Sequence, residues 1–249
     1  MGNKFTKTVI VENKKILSYG IVCSGFDQKK AAEDSCNQAL LEAGISKNDI
    51  GYIVATGAGQ SEVAFAENYI TDISSAAKGA VNILPQARTI SDLGAEEARV
   101  IKVNDNQKIL DFAINEKCAA GTGFFVETMA HALEVDLEDM GRLSLESTQA
   151  VPMNAQCAVF AESEVVSLIH ANTPKNDIAS AIHDAIASRI AALVRRVGLE
   201  REMVLIGGMA RNPGFIKALE EELGVELLIP EKPEFVNAYG AALAAEEKA

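Results

Sequence analysis

The sequence predicts an α/β protein built from two lobes with a cleft between them. Three observations lead to this fold class: β-branched runs alternate with helical patterns, a similar order of elements recurs after residue 86, and glycine turns follow several predicted strands. A chain of 249 residues is long enough for two lobes of about 100 to 150 residues each. No Pro/Ser-rich linker separates the halves, so the lobes are expected to pack directly against each other.

The first half of the chain predicts a hairpin followed by alternating helices and strands. The runs KTVIV and ILSYGIVCS are rich in β-branched residues and are predicted as strands, and a helix is predicted from Gln28 to Ala43. The run IGYIVATG is predicted as a further strand, and the stretch from Ser61 to Leu84 as helical segments. This order is typical of βαβ units.

The second half begins near Ala87 and predicts three consecutive strands, ARTISDLG, ARVIKVND and KILDFAIN. A long helical region follows, and then the strand EMVLIGG, a helix from Pro213 to Leu223 and the strand VELLIP. The order of elements resembles that of the first half without a residue-level repeat. A weak structural repeat is therefore expected.

The composition excludes several classes of partner. Lys and Arg total 23 against 35 Asp and Glu, a formal charge of -12, which opposes binding to nucleic acid or to an anionic membrane surface. No apolar run approaches the roughly 20 residues that a membrane span needs. A cytoplasmic protein is expected.

Three glycine-bearing turns predict a nucleotide site. The segments MGNKFTK, SDLGAEE and LIGGMARN each place glycine beside a predicted strand, where the backbone can approach an anion without a Cβ in the way. An Asp just before such a glycine can hold Mg²⁺ through water. None of the three matches Rossmann or P-loop spacing, but together with the two lobes they favour a nucleotide in the cleft.

Four cysteines, Cys23, Cys36, Cys118 and Cys157, form no CxxC pair. In a reducing compartment each is either a small buried side chain or a functional thiolate. Cys118 and Cys157 each precede an apolar helical pattern, and a helix N-terminus favours the thiolate. Cys23 and Cys36 are expected to be core residues.

Five motifs in order, GNKFTK, DLGAEE, KCAAGTG, CAVFAESEV and GGMARN, resemble those of the BadF/BadG/BcrA/BcrD-type ATPase family. This family contains activators of 2-hydroxyacyl-CoA dehydratases and ATP-binding subunits of ATP-dependent benzoyl-CoA reductases, and the resemblance covers essentially the entire chain. It implies an actin-like ATPase fold of the acetate kinase, sugar kinase, Hsp70 and actin superfamily, with two ribonuclease-H-like lobes. The first lobe would comprise residues 1–86, completed by a C-terminal helix at 235–249, and the second residues 87–234.

The resemblance also implies the site residues. Cys118 and Cys157 match the two cysteines by which each subunit of a dimer holds half of one [4Fe-4S] cluster, since four thiolates are needed. Asp92 matches the catalytic residue that positions Mg-ATP. The other residues implied to bind the nucleotide lie on the three turns: Asn3, Lys4, Phe5, Thr6, Lys7, Gly94, Gly207, Gly208 and Met209.

The function implied by the resemblance is ATP-driven electron transfer. A ferredoxin or flavodoxin would load the cluster, and ATP hydrolysis would drive the electron to a CoA-thioester dehydratase or benzoyl-CoA-type reductase. The dimer would pair identical chains or this chain and a related ATPase subunit. Two alternatives stay open: a non-hydrolysing subunit that completes the cluster beside a catalytic partner, and a small-molecule kinase of the same fold, which would need a general-base Asp in the cleft.

The sequence departs from the family pattern in two places. Family members begin with a strand and Asp-x-Gly, but here Met1 stands directly before Gly2, and a misassigned start codon is the expected explanation. The turn DLGAEE replaces the Gly-Gly-Gln-Asp of the activators and looks more like one subunit type of the benzoyl-CoA reductases. The Glu97 carboxylate is expected to be solvated.

Two smaller expectations concern helices. His131, His170 and His183 do not share a helical turn, so solvated or capping roles are expected rather than metal binding. Gly240 lies among alanines in NAYGAALAAE, which predicts close helix packing between the lobes.

Overall fold

The computed structural model describes residues 1–115, 122–153 and 157–249. The strands of these ranges are β1 Phe5–Glu12, β2 Lys15–Cys23, β3 Val54–Ala55, β4 Asn68–Tyr69, β5 Thr89–Leu93, β6 Ala98–Val103, β7 Ile109–Asn115, β8 Met203–Ile206 and β9 Leu227–Leu228. The α-helices are α1 Gln28–Ala43, α2 Asp72–Ile83, α3 Gly123–Leu133, α4 Leu137–Leu145, α5 Ala158–His170, α6 Lys175–Val197, α7 Pro213–Leu223 and α8 Val236–Glu246. None of these helices is both long and apolar enough to cross a membrane.

A five-stranded mixed sheet forms the centre of the second half of the chain. Its strand order is β7-β6-β5-β8-β9, with β6 antiparallel to both neighbours and β5, β8 and β9 parallel. All residues of β5 and β8 are buried because helices cover both faces of the sheet. Helices α3, α6 and α7 contribute to the core on one face, and α2 packs on the other. The carboxyl ends of β5 and β8 therefore open toward the same edge, where the candidate site lies.

The first part of the chain contains two separate two-stranded sheets. β1 and β2 form an antiparallel hairpin against which α1 packs, and β3 pairs in parallel with β4. Helix α8 packs on β1 through Tyr239 and Leu243 and also crosses α2. The division into lobes at residue 86 stays a prediction.

The bounds of helices α1 and α7 match the prediction to the residue, because local sequence signals mark both the start and the end of each helix. Asp27 accepts a hydrogen bond from the amide of Lys30, and Asn212 accepts one from the amide of Phe215. Left-handed glycines, Gly44 and Gly224, end the two helices.

The region between α1 and β5 differs from the prediction. The predicted strand IGYIVATG is reduced to Val54–Ala55, and the prediction of helical segments from Ser61 to Leu84 is wrong before residue 72. There the chain forms a short 3₁₀ turn and the strand β4. The Thr71 hydroxyl accepts a hydrogen bond from the Ser74 amide and so sets the start of α2.

The two cysteines predicted to lie in the core have different environments. Cys36 is buried among α1 and hairpin side chains, and burial raises the pKa of its thiol. Cys23 is exposed, so the prediction is wrong for this residue. Side chains alternate along β2, and Cys23 shares the outward face with Leu17 and Ile21 while Ser18 points inward.

Helices α2 and α8 cross with their backbones in contact at Gly240, but both lie in the ranges predicted as the first lobe, so this close packing is not the inter-lobe packing that was predicted. A Cβ added at Gly240 would lie 1.9 Å from the carbonyl oxygen of Ser75, and one at Gly79 would lie 2.2 Å from the carbonyl oxygen of Val236. Both distances are far below van der Waals contact. The crossing therefore requires glycine on both helices.

We expect Gly240→Ala to lower the free energy of unfolding by about 1 to 3 kcal/mol, because the added methyl group forces the helices apart. This loss exceeds the gain of roughly 1 kcal/mol that alanine brings to a helix interior. Urea denaturation measures the change. Gly51→Ala is the control, since its Cβ would only touch Ala249 at 3.4 Å; an unchanged midpoint in Gly240→Ala would contradict the close crossing.

Candidate functional site

A cleft of about 1180 Å³ opens at the carboxyl ends of β5 and β8. Its polar end is formed by the segment before β1, the turn between β5 and β6, the segment after β8 and one side of α3. Its apolar end continues between β1 and β3, which belong to separate sheets. The ten residues predicted to contact the nucleotide all line this cleft: Asn3, Lys4, Phe5, Thr6, Lys7, Asp92, Gly94, Gly207, Gly208 and Met209.

The base of the cleft is built around the Arg99 guanidinium. Its nitrogens lie 3.2 Å from Asp72 Oδ2 and 3.3 Å from Asp92 Oδ2, and it also pairs with Glu97. The Arg99 side chain is 11% exposed, so these charges interact in a medium less polar than water. Burial raises the pKa of Asp72, and the arginine opposes this effect. The expectation that Glu97 is solvated is met only in part, because its side chain is 33% exposed while its carboxylate pairs with Arg99.

Asp92 also connects the cleft base to α8. Asn237 donates a hydrogen bond from Nδ2 to Asp92 Oδ2 at 2.9 Å. The Oδ1 atom of Asn237 is buried and has no hydrogen-bond partner among the described residues. Mg²⁺ prefers oxygen ligands such as those of carboxylates. In nucleotide sites it usually keeps several waters and also binds the phosphates. An orphaned amide oxygen beside Asp92 therefore fits a hydrated cation bound with a nucleotide.

Lys7 is a partly buried cation in this cleft. Burial lowers the pKa of its ammonium, while the charges of Asp92 and Glu234 act in the opposite direction. Within the described ranges its Nζ has no hydrogen bond or ion pair, and it lies 5.8 Å from the centre of the Phe5 ring. Such an ammonium can bind an anionic group of a ligand without first breaking an ion pair.

Two of the predicted glycines serve the fold of their turns. The amide of Gly94 donates to the carbonyl of Glu97, and that of Gly207 donates to Pro233. A Cβ on Gly207, whose φ is 90°, would lie 2.3 Å from the carbonyl oxygen of Leu93. These two amides are therefore not free for phosphate, while a Cβ on Gly208 would meet no atom within 4 Å.

The turn after β5 is bonded directly to the start of α3. The amides of Gly123 and Phe124 donate to the carbonyl oxygens of Gly94 and Ala95 at 3.0 and 2.8 Å. These are amides of the first helical turn, which have no partner within the helix. Any shift of the turn is therefore passed to the first turn of α3.

The two cysteines predicted to bind a cluster precede α3 and α5. Cys157 is exposed and lies directly before Ala158, the first residue of α5. Cys118 lies outside the described residues. Helices α3 and α5 pack against each other. Val159 and Phe160, which closely follow Cys157 on α5, are exposed, as is Phe124 on α3. An exposed thiol at a helix start beside an apolar surface fits a ligand shared between two chains.

The sequence reasoning missed three site residues, namely Asp72, Arg99 and Asn237. Asp72 and Asn237 come from α2 and α8, so only the fold brings them to Asp92, whereas Arg99 lies opposite Asp92 in the β5–β6 hairpin. A weak signal was present for Asp72, which follows Thr71 at the start of a helix and is polar in an otherwise small and apolar segment.

His183 is buried, so the expectation of a solvated or capping role is wrong for it. Its Nδ1 lies 2.6 Å from the carbonyl oxygen of Ala179 and its Nε2 lies 2.9 Å from Asn212 Nδ2. Since Asn212 Oδ1 already accepts from the Phe215 amide, Nδ2 donates to the ring, which is neutral. Burial lowers the pKa of His183 accordingly.

Comparisons with known proteins agree with this arrangement. The model of a family described as the BadF/BadG/BcrA/BcrD ATPase family matches residues 2–245. The 2-hydroxyisocaproyl-CoA dehydratase activator of Clostridioides difficile is 40% identical over 249 residues, which is 100% of this chain and 94% of that protein. One of the benzoyl-CoA reductase subunits of Thauera aromatica is 32% identical over 224 residues, 87% of this chain and 79% of that protein.

A solved structure of an activator of the 2-hydroxyisocaproyl-CoA dehydratase from Clostridium difficile, with bound ADPNP, superposes with a TM-score of 0.94 and 35% identity. The match covers 100% of this chain and 92% of that one. The actin-like ATPase fold predicted from the sequence is thereby confirmed.

We expect Lys7→Met to raise the free energy of unfolding at pH 7 by about 1 kcal/mol, because it removes a poorly compensated, partly buried charge. The pKa of Lys7 is lowered in the folded protein from its usual value of 10.5, so the cost of the charge grows as pH falls from the unfolded pKa to the folded pKa and is fully present below it. The advantage of the variant should therefore shrink as pH approaches 10.

Thermal unfolding at pH 7 and pH 9.5 measures this difference. Lys30→Met, at an exposed position of α1, is the control and should change stability little at either pH. A Lys7→Met variant less stable than wild type at pH 7 would show that the ammonium stabilises the cleft.

Proposed function

The chain belongs to the BadF/BadG/BcrA/BcrD ATPase family, and on that premise we propose that it is an ATP-dependent activator that passes electrons to a CoA-thioester dehydratase or a benzoyl-CoA-type reductase. The relatives compared above carry names of both kinds, an activator and a reductase subunit. In the proposed cycle, ATP binds in the cleft and a [4Fe-4S] cluster is held between two chains. A ferredoxin or flavodoxin is the proposed donor.

The observation that carries this proposal is the bonding between the cleft and α3. The carbonyl oxygens of Gly94 and Ala95 accept from the first amides of the helix that follows Cys118. A nucleotide that moves the turn after Asp92 therefore acts on the element next to the proposed cluster. Such coupling requires ATP to bind one arrangement better than the other.

In the nucleotide site, Asp92 would orient hydrated Mg²⁺, with Asn237 Oδ1 as a second oxygen beside it. Arg99 holds Asp92 in place through the ion pair at the cleft base. Lys4 and Lys7 would neutralise charge on the phosphates, which is the main contribution a protein makes to phosphoryl transfer. Asn3, Phe5, Thr6, Gly94, Gly207, Gly208 and Met209 complete the proposed contact set.

At the chain-to-chain contact, Cys118 and Cys157 of each subunit would supply the four thiolates that a [4Fe-4S] cluster needs. The cluster supplies one-electron chemistry when bound. Cys157 is exposed at the start of α5, and the apolar side chains Val159 and Phe160 beside it are 68% and 70% exposed. Burial of these side chains by a second copy or a related subunit would exclude water from the proposed metal site.

Anaerobic reconstitution with iron and sulfide tests the cluster. We expect about four irons per dimer and their loss in both Cys118→Ser and Cys157→Ser, because each chain contributes only two thiolates. Cys23→Ser is the matched control, since Cys23 is also exposed but lies on β2. If both variants bind as much iron as wild type, or if Cys23→Ser loses as much iron as they do, Cys118 and Cys157 are not the cluster ligands.

Phosphate release tests the ATP site. We expect Asp92→Asn to reduce ATP turnover about 100-fold, the usual scale for losing a group that stabilises charge in the transition state. Asp105→Asn is the control, because Asp105 is exposed and pairs with Arg88 away from the cleft. Wild-type protein that binds a cluster but releases no phosphate would favour the non-hydrolysing subunit instead.

A further inference from the structure

A salt bridge spans the mouth of the cleft between the segment before β1 and α3. Lys4 Nζ lies 2.7 Å from Glu127 Oε2, and the two side chains are 37% and 32% exposed. Both residues line the cleft. The pair therefore joins the first predicted phosphate turn to the helix that follows Cys118.

Glu127 lies at the second turn of α3, so the helix is attached to the cleft at two points. The first point is its N-terminus, bonded to the carbonyls of Gly94 and Ala95, and the second is the Lys4 pair. The opposite side of α3 packs in the core and against α5. An event that opens the Lys4 pair removes the second of these two attachments and leaves the hydrogen bonds of the first turn in place.

The Lys4 side chain is free to exchange partners, but its backbone is fixed. Its carbonyl oxygen accepts from the amide of Ser24 at 3.0 Å, which anchors the segment to β2. Its ammonium makes one ion pair, to Glu127, and lies 6.0 Å from the Phe5 ring. A half-exposed ion pair of this kind is weak, whereas a triphosphate with several charged oxygens is a strong competitor for lysine.

We propose that Lys4 and Glu127 form an exchangeable pair, which opens when the terminal phosphate of a nucleoside triphosphate takes the Lys4 ammonium. This inference rests on the proposed ATP site. Lys4 and Glu127 are then positioning residues that report the presence of the terminal phosphate to α3. A diphosphate, which lacks that group, leaves the pair closed.

The size of the effect follows from the exposure of the pair. A ligand shifts such an equilibrium only by its different affinity for the two states. Opening a half-exposed pair therefore costs the triphosphate about 2- to 5-fold in affinity. Glu127→Gln should recover this factor, since it releases Lys4 without changing the shape of the side chain at position 127.

A double-mutant cycle on nucleotide binding tests the proposal, with the Mg²⁺ complexes of ATP's non-hydrolysable imido analogue and of ADP as probes. We expect Glu127→Gln to bind the triphosphate analogue about 2- to 5-fold more tightly than wild type, with a smaller change for ADP. Lys4→Met should bind the analogue more weakly. In the Lys4→Met background, the Glu127→Gln change should have no effect, because the cation for which glutamate and phosphate compete is gone.

A second readout follows α3 directly. Amide hydrogen exchange of residues 124–133 should rise in wild type with the triphosphate analogue but not with ADP, and should already be raised in Glu127→Gln without nucleotide. Lys78→Met and Glu247→Gln form the matched control, because Lys78 and Glu247 make a 2.6 Å ion pair of similar kind that does not line the cleft.

The outcomes separate this proposal from the function on which it rests. If wild type binds neither nucleotide, the proposed ATP site is overturned, and the exchangeable pair that depends on it is overturned as well. If wild type binds both but Glu127→Gln has the same effect with and without Lys4, its influence is a general charge effect and the exchangeable pair is overturned. Unchanged binding and exchange in Glu127→Gln overturns it as well.

Discussion

The candidate site depends on the need to compensate one largely buried guanidinium. An arginine removed from water must be surrounded by acceptors, or its desolvation destabilises the fold by several kcal/mol. Arg99 on β6 meets this need with carboxylates from the start of α2, the end of β5 and its own turn. Asn237 extends the network from Asp92 to α8. Helices α2 and α8, which are distant in sequence from the β5–β6 hairpin, are thereby fixed to it where the cleft begins.

The local parts of the fold were predictable because their signals are local. α1 and α7 have capping side chains at their starts and left-handed glycines after their ends. The segment between residues 50 and 71 was not predictable, because its two-residue strands pair in parallel across a long connection and follow no hydrophobic period. Cys23 and His183 were wrongly assigned because packing decides which side of an element is buried. Packing sets the face of β2 that meets α1 and the side of α6 that meets Asn212.

The same contrast applies to the site. The glycine turns and Asp92 were recognisable as motifs because each occupies a few consecutive residues, and the fold brings them to one cleft. Asp72, Arg99 and Asn237 belong to no motif, since each is a single polar residue in a helix or strand. The glycine turns were predicted to leave backbone amides open to an anion. The amides of Gly94 and Gly207 instead donate hydrogen bonds within the protein. Their glycines allow close passage of the chain, and any contact with the proposed nucleotide would not use these two amides.

The charges that line the cleft have a consequence for how long the protein persists. Three carboxylates face two cations at its base, with the ammonium of Lys7 lacking an ion-pair partner among the described residues. A ligand that binds only the folded state adds stability in proportion to the logarithm of its concentration. Occupancy by Mg-ATP would therefore lower the fraction of chains that unfold and meet proteases. Under the proposed function, the cellular abundance of this protein would follow the energy supply of the cell.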